Sequence, residues 1–321
     1  IDEMEGSAGT ILVPSGLMAV VVPLLAFLSS GDHLLVVDSV YWPTRSFANT
    51  MLKRMGVEVE YYSPSLGADI ETLLRPNTKV VFTESPGTGT FEIQDIPAIV
   101  AAAHRHGAIV MMDNTWATPL FFRPLDHGVD ISINAATKYQ GGHSDVLMGI
   151  TSANADCWPR LHETFIAMGC ISGPDDVYQV LRGRRSMGVR LERHQASALE
   201  LARWLEGQPG VARVLHPALE SFPSHALWKR DFSGSSGLFS IVLDGGDKEK
   251  ATAFLNALSI FGLGYSWGGF ESLAVMVNIA DRTLPQSYEG PIIRLQIGLE
   301  DVADLKADIA RGLAAAQEYA W

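Results

Sequence analysis

The sequence predicts an α/β protein: a mainly parallel, seven-stranded-type sheet flanked by helices, followed by a smaller α+β unit. Three observations carry this. Short β-rich runs alternate with helical stretches through the first half of the chain. Several of those runs are apolar at successive positions, as strands buried on both faces are. The texture then changes after about residue 175, where helix dominates. The 321 residues suit two domains, by the prior of about 150 residues each. The expected division is 1–185 and 186–321.

Taken in order, residues 10–13, 33–37, 57–62, 79–83, 108–112 and 130–133 read as strands. Between them, 17–28, 43–55, 68–74 and 96–106 read as helices, each bounded by Gly, Pro, Asp or Ser. Strict alternation of this kind gives a parallel sheet with helices on both faces. Ligands of such sheets sit beyond the carboxyl ends of the strands. Residues 175–206 form a long helical run with breaks expected at Gly183 and Gly188. It leads to strands at 238–243, 273–277 and 292–297 and helices at 248–258 and 301–317. The last helix shows the three-four spacing of Val302, Leu305, Ile309 and Leu313.

One stretch imitates a membrane span, since no residue between Glu5 and Asp32 is charged. Pro14, Ser15 and Gly16 interrupt it, and Pro23 lies inside the remainder. Residues 17–28 alone fall short of the roughly 20 a spanning helix needs. A buried strand and helix are therefore expected, with no membrane association. The acidic start, Ile1 to Glu5, is unlike a signal-peptide n-region. The chain also begins without Met, which leaves room for a preceding segment.

Apolar residues make up 47% and charged ones 19%, the balance of a globular chain. A net charge of −12 excludes a generic nucleic-acid binder, because no basic excess is available to neutralise phosphates. Cys157 and Cys170 are too far apart for a CxxC pattern. They give neither a disulfide framework nor a zinc knuckle, and suit a cytoplasmic location.

Four motifs are decoys. Gly264 to Gly268 matches a G-x-S-x-G elbow around Ser266, but that fold needs a histidine later in the chain, and the last one is His225. His143, Ser144 and Asp145 are sequence neighbours, which do not normally converge on one substrate atom. His104 and His106 lie two apart on a helix and face different ways, so no metal site is expected. Gly87 and Gly89 lack the Gly-Lys-Ser/Thr of a phosphate-binding loop.

Three other features carry chemistry. Asp113 ends the apolar run 108–112, where a carboxylate needs a cationic partner or serves as a helix cap or structural ion pair. Lys138 follows the next strand among small residues. It reads as a solvated charge, a phosphate contact, or a desolvated amine of lowered pKa suited to Schiff-base chemistry. Ser15, Gly16 and Leu17 join the first strand to the first helix, where free N–H groups form an anion site or Ser15 forms a simple cap. A phosphate cradle, a carboxylate for a ring nitrogen and an amine for an aldehyde are together what pyridoxal phosphate requires.

Eight motifs in order reinforce this: Pro14-Ser15-Gly16, residues 41–45 from Tyr41, Glu84-Ser85-Pro86, 113–116 from Asp113, 136–145 around Lys138, 234–237, 265–269 around Ser266, and 294–301 from Arg294. Through them essentially the whole chain resembles the Cys/Met-metabolism family of fold type I pyridoxal-phosphate enzymes. The resemblance implies that Lys138 holds pyridoxal 5'-phosphate as a Schiff base and acts as the main catalytic base. It implies that Asp113 keeps the pyridine nitrogen protonated, and that Gly16, Leu17 and Thr137 hold the phosphate. Tyr41 would stack on the ring and assist proton transfer, while Arg294 and Ser266 take the substrate α-carboxylate. Arg suits that role because its fork binds a carboxylate bidentately.

Departures from the pattern of γ-carbon-acting members indicate the branch. Those members tend to have Tyr-Gly-Gly-Thr where this chain has Tyr41-Trp42-Pro43-Thr44, and Ser-Leu-Gly-Gly where it has Ser266-Trp267-Gly268-Gly269. They often have Ser at the place of Ala135 and Asn at the place of Thr88. All four departures point to β-elimination from a thioether amino acid such as L-cystathionine, with Trp267 facing substrate or serving as a plain core aromatic. The rivals are γ-elimination or γ-replacement on the same scaffold and, from another class, a non-catalytic cofactor-binding protein. The family's N-terminal Tyr-x-Arg pair, which reaches a neighbouring subunit's phosphate, has no counterpart in these residues. The resemblance implies a homodimer with shared sites, paired into a tetramer.

Overall fold

The structure is a computed structural model that describes residues 1–284 and 286–319. Its larger sheet has seven strands: β1 (Gly9–Val13), β2 (His33–Val37), β3 (Glu58–Tyr62), β4 (Thr78–Glu84), β5 (Ile109–Asp113), β6 (Ile131–Ala135) and β7 (Gly149–Ala153). They lie in the order β1-β7-β6-β5-β4-β2-β3. β2 to β6 pair in parallel, and β7 runs against both β1 and β6. The six predicted strands are present close to their expected bounds. β7 was not predicted: Gly149-Ile150-Thr151-Ser152-Ala153 has no apolar run, and pairing on both edges is what makes it a strand.

Helices cover this sheet: α1 (Asp2–Glu5), α2 (Gly16–Phe27), α3 (Trp42–Phe47), α4 (Ile96–Arg105), α5 (Thr118–Phe121), α6 (Trp158–Met168) and α7 (Pro174–Leu205). The apolar stretch after Pro14 is a helix buried against the sheet, not a span, and among the described residues no helix is long and apolar enough to cross a membrane. Pro23 sits inside α2, where it cannot donate to the Ala19 carbonyl. The Thr151 hydroxyl supplies that bond instead, at 2.8 Å from β7.

Three expectations need correction. The helix predicted over 43–55 is α3 followed by a π-helical turn at Ala48–Leu52, and 68–74 is a 3₁₀ segment, Gly67–Leu73. α7 is unbroken at Gly183 and Gly188. At Gly183 the missing side chain allows close approach: a Cβ there would meet the Gly141 carbonyl at 2.1 Å.

The smaller sheet holds β8 (Val211–Leu215), β9 (Leu238–Leu243), β10 (Gly262–Leu263), β11 (Leu273–Val277) and β12 (Ile292–Gln296), in the order β10-β11-β12-β9-β8. α8 (His225–Asp231), α9 (Lys248–Asn256) and α10 (Val302–Glu318) accompany it. Leu305, Ile309 and Leu313 of α10 pack with Phe239, Ile241, Ile293 and Leu295 in a separate core. α7 serves both units. Val180 packs with Met148 and Ile150, whereas Ala198, Leu201 and Leu205 join the second core.

Candidate active site

The parallel strands bring the carboxyl ends of β4, β5 and β6 to one edge of the larger sheet, and the candidate residues collect there. Lys138 lies in the turn after β6. Its N–H donates to the Ala135 carbonyl at 3.0 Å, and its own carbonyl accepts from Gly142 N–H at 2.7 Å. The side-chain Nζ donates to Ser266 Oγ at 2.8 Å and stands 5.1 Å from the Trp267 ring centre. Burial lowers its pKa to about 8, aided by the Arg294 charge and opposed by Asp113. Such an amine is half neutral near pH 8.

Asp113 ends β5, beside Glu84 of β4 in strand register. Its Oδ1 accepts from Thr115 N–H at 3.0 Å and from Thr115 Oγ1 at 2.6 Å. The same hydroxyl accepts from Ala135 N–H at 2.9 Å, which ties the carboxylate to the end of β6. Burial raises the Asp113 pKa, while the Thr115 bonds and the Lys138 charge oppose the rise. Among the described residues no cationic nitrogen lies within 4.0 Å of it, and Oδ2 takes no hydrogen bond. The bond pattern is a local turn, not a helix cap, and one oxygen stays available to a positively charged partner.

At the start of α2, Ser15 Oγ accepts from Met18 N–H at 3.1 Å and the Ser15 carbonyl from Ala19 N–H at 3.1 Å. Ser15 is thus a cap, and the Gly16 and Leu17 N–H groups remain as outward donors at the positive end of the helix. Thr137 is placed differently. Its hydroxyl donates to the Met148 carbonyl at 3.3 Å and accepts from Met148 N–H at 3.2 Å, so it braces the Lys138 turn.

Tyr41 precedes α3 and is half exposed, with its N–H donating to Glu84 Oε2 at 2.7 Å. Burial and the Asp113 and Glu84 charges raise its phenol pKa, and Arg294 works against them. Tyr41, Asp113, Lys138 and Arg294 therefore act on one another's charge.

The smaller sheet closes the other side. Arg294 on β12 donates through Nη2 to the Tyr265 carbonyl at 2.7 Å. Burial lowers its pKa to about 10, leaving it a cation at neutral pH. Ser266 and Trp267 sit on the connection between β10 and β11. Gly268 lets that connection reach the lysine: its φ is +82°, and a Cβ would lie 2.9 Å from the Lys138 carbonyl carbon. Trp267 is partly buried and packs 5.6 Å from the Tyr139 ring, so it touches both the core and the lysine.

Sequence reasoning assigned no role to Thr115, Glu84, Tyr139 or Arg190. Tyr139 is fully buried; its hydroxyl accepts from Gly237 N–H at 2.9 Å and donates to Gln296 Oε1 at 3.3 Å, joining the two units. Arg190 of α7 donates to the Tyr139 carbonyl at 2.9 Å and the Gly183 carbonyl at 2.8 Å. Thr115 and Glu84 belong to motifs already noted in the sequence, whereas nothing local marks a helix arginine as a brace.

Free helix N–H groups, a carboxylate with an open oxygen and an amine of lowered pKa fit pyridoxal phosphate in all three of its functional groups. The comparisons agree. Residues 1–314 match a family described as Cys/Met metabolism PLP-dependent enzyme. The chain is 69% identical over 321 residues to a Rhizobium johnstonii protein provisionally assigned as a cystathionine beta-lyase, covering 98% of this chain and 81% of that one. It is 47% identical to a cystathionine beta-lyase of Escherichia coli strain K12, covering 97% and 81%. A crystal structure of cystathionine gamma synthase from Xanthomonas oryzae pv. oryzae superposes with a TM-score of 0.94 at 31% identity, covering 99% of this chain and 84% of that one.

Proposed function

The chain belongs to the Cys/Met-metabolism family of PLP-dependent enzymes, and from that premise we propose that it is a carbon–sulfur lyase of the cystathionine β-lyase type. With one water it cleaves L-cystathionine to L-homocysteine, pyruvate and ammonia. The observation that carries the reading is the Lys138 amine, lowered to about 8 by burial and aimed across the site at Ser266.

Pyridoxal phosphate, when bound, supplies an electron sink that makes the substrate Cα–H acidic. Lys138 would bond its aldehyde carbon, Asp113 would pair with its ring nitrogen, and Gly16 and Leu17 would take its phosphate. Thr137 supports the phosphate end by bracing the loop through Met148. Arg294 binds the substrate α-carboxylate through its guanidinium fork, with Ser266 as second donor. Lys138, as a neutral amine, would take the substrate Cα proton. Tyr41 would lie over the ring and assist proton transfer, its raised phenol pKa suiting protonation of the departing sulfur. Trp267 narrows the substrate side. The exposed apolar side chains Trp42, Leu147, Ile171 and Tyr178 support a homo-oligomer in which a second subunit completes the site.

Incubating the cofactor-loaded protein with L-cystathionine and identifying the keto acid tests the reading. Pyruvate is expected. 2-Oxobutyrate would move the enzyme to the γ-acting branch, and no keto acid would refute catalysis on this substrate.

A further inference from the structure

Glu84 ends β4 with its side chain buried, 7% exposed, at the edge where the site residues gather. Neither of its oxygens is idle. Oε2 accepts the Tyr41 N–H at 2.7 Å, and Oε1 accepts the Thr88 hydroxyl. The two segments it joins are laced a second time, because Thr88 N–H donates to the Ser39 carbonyl at 2.8 Å. Arg282 backs the turn from the smaller unit, donating to the Thr88 carbonyl at 3.1 Å. Gln94 Nε2 donates to the carbonyl of Glu84 itself at 2.8 Å. In parallel register Glu84 and Asp113 are neighbours, so both carboxyls project to the same face of the sheet.

A carboxyl here is therefore a three-way tie between the end of β4, the turn at Thr88 and the Tyr41 main chain. Tyr41 itself is half exposed. We propose that Glu84 is a positioning residue for the cofactor: it holds the Tyr41 backbone so that the phenol ring lies over the space flanked by Asp113 and Lys138. This rests on the cofactor reading given above. Burial and the neighbouring Asp113 charge raise the Glu84 pKa well above the usual carboxylate range. Gln is then a close mimic. Its carbonyl can accept the Tyr41 N–H and its amide can donate to Thr88, whereas Ala can do neither.

The test compares wild type with Glu84→Gln, Glu84→Ala and Thr88→Val by titrating each cofactor-free protein with pyridoxal phosphate and recording the circular dichroism of the bound cofactor. Glu84→Ala, which removes both the Tyr41 N–H and the Thr88 hydroxyl bonds, is expected to raise the cofactor Kd about tenfold. It should also diminish the cofactor dichroism at saturation. Glu84→Gln should restore both to near wild type, and Thr88→Val should show a smaller shift of about threefold. If Glu84→Ala does not fold, the other two variants still decide. A Glu84→Gln protein with weakened binding and altered dichroism would show that charge, not the tie, matters, and would overturn the proposal. So would unchanged Kd and dichroism in Thr88→Val and Glu84→Ala. Failure of wild type to bind the cofactor would instead refute the reading on which the proposal stands.

Discussion

Asp113 and Lys138 on the larger sheet are fixed differently from Ser266 and Trp267 on the smaller one. The first pair sits at or just beyond strand ends, where a backbone ladder and the Thr115 hydroxyl set their positions. The second pair rides a connection between β10 and β11 that is held by side chains, Lys138 on Ser266 Oγ at 2.8 Å and Arg294 on the Tyr265 carbonyl at 2.7 Å. Arg294 is intermediate, on a central strand but donating to the carbonyl of that same connection. The difference separates two tasks. On the proposed roles, the ladder-held sheet edge serves the cofactor and the side-chain-held connection serves the substrate.

Variants can break that division. Lys138→Ala should lower turnover by roughly a thousandfold or more, since it removes both the cofactor's covalent partner and the base; steady-state pyruvate release measures it. Arg294→Lys should raise KM by about ten- to a hundredfold through loss of the bidentate fork. The cofactor absorbance should stay unchanged, and a lost band would mean that the smaller unit also holds the cofactor. Cofactor uptake by the cofactor-free protein should quicken about tenfold per pH unit up to about pH 8 and then level off. The reason is that only neutral Lys138 reacts, and stopped-flow absorbance would follow it.

Gly268→Ala probes the contact between the regions. A side chain there meets the Lys138 backbone at a positive φ, so a loss of about 1–3 kcal/mol is expected in thermal or denaturant unfolding.

The smallest effect on activity should come from Glu5→Gln, away from both tasks. Glu5 is fully buried, accepts from Asn134 at 2.9 Å, and is raised by burial to about 7. Its folded pKa exceeds its unfolded value, so its contribution is present below about pH 4.5 and lost as pH rises through 7. Glu5→Gln should therefore raise Tm at pH 8 and change it little at pH 5.

The same division governed what could be read from the sequence. Strands of the larger sheet were legible because burial on both faces leaves apolar runs such as His33–Val37, and their order placed Asp113 and Lys138 at one edge. β7 was not, because a strand of Gly, Thr and Ser is made by its two neighbours. Gly183 looked like a break and is a contact, since spacing says nothing of what packs against a helix. Arg190 and Tyr139 brace the Lys138 turn through bonds to main-chain groups distant in sequence, which no local pattern encodes.

On the proposed function, Lys138 is the residue that bonds the cofactor at this edge. Reducing the loaded protein with borohydride and mapping its peptides by mass spectrometry tests it most directly. The added cofactor mass is expected on Lys138. The same mass on another lysine, such as Lys53 or Lys79, or on none, would contradict it.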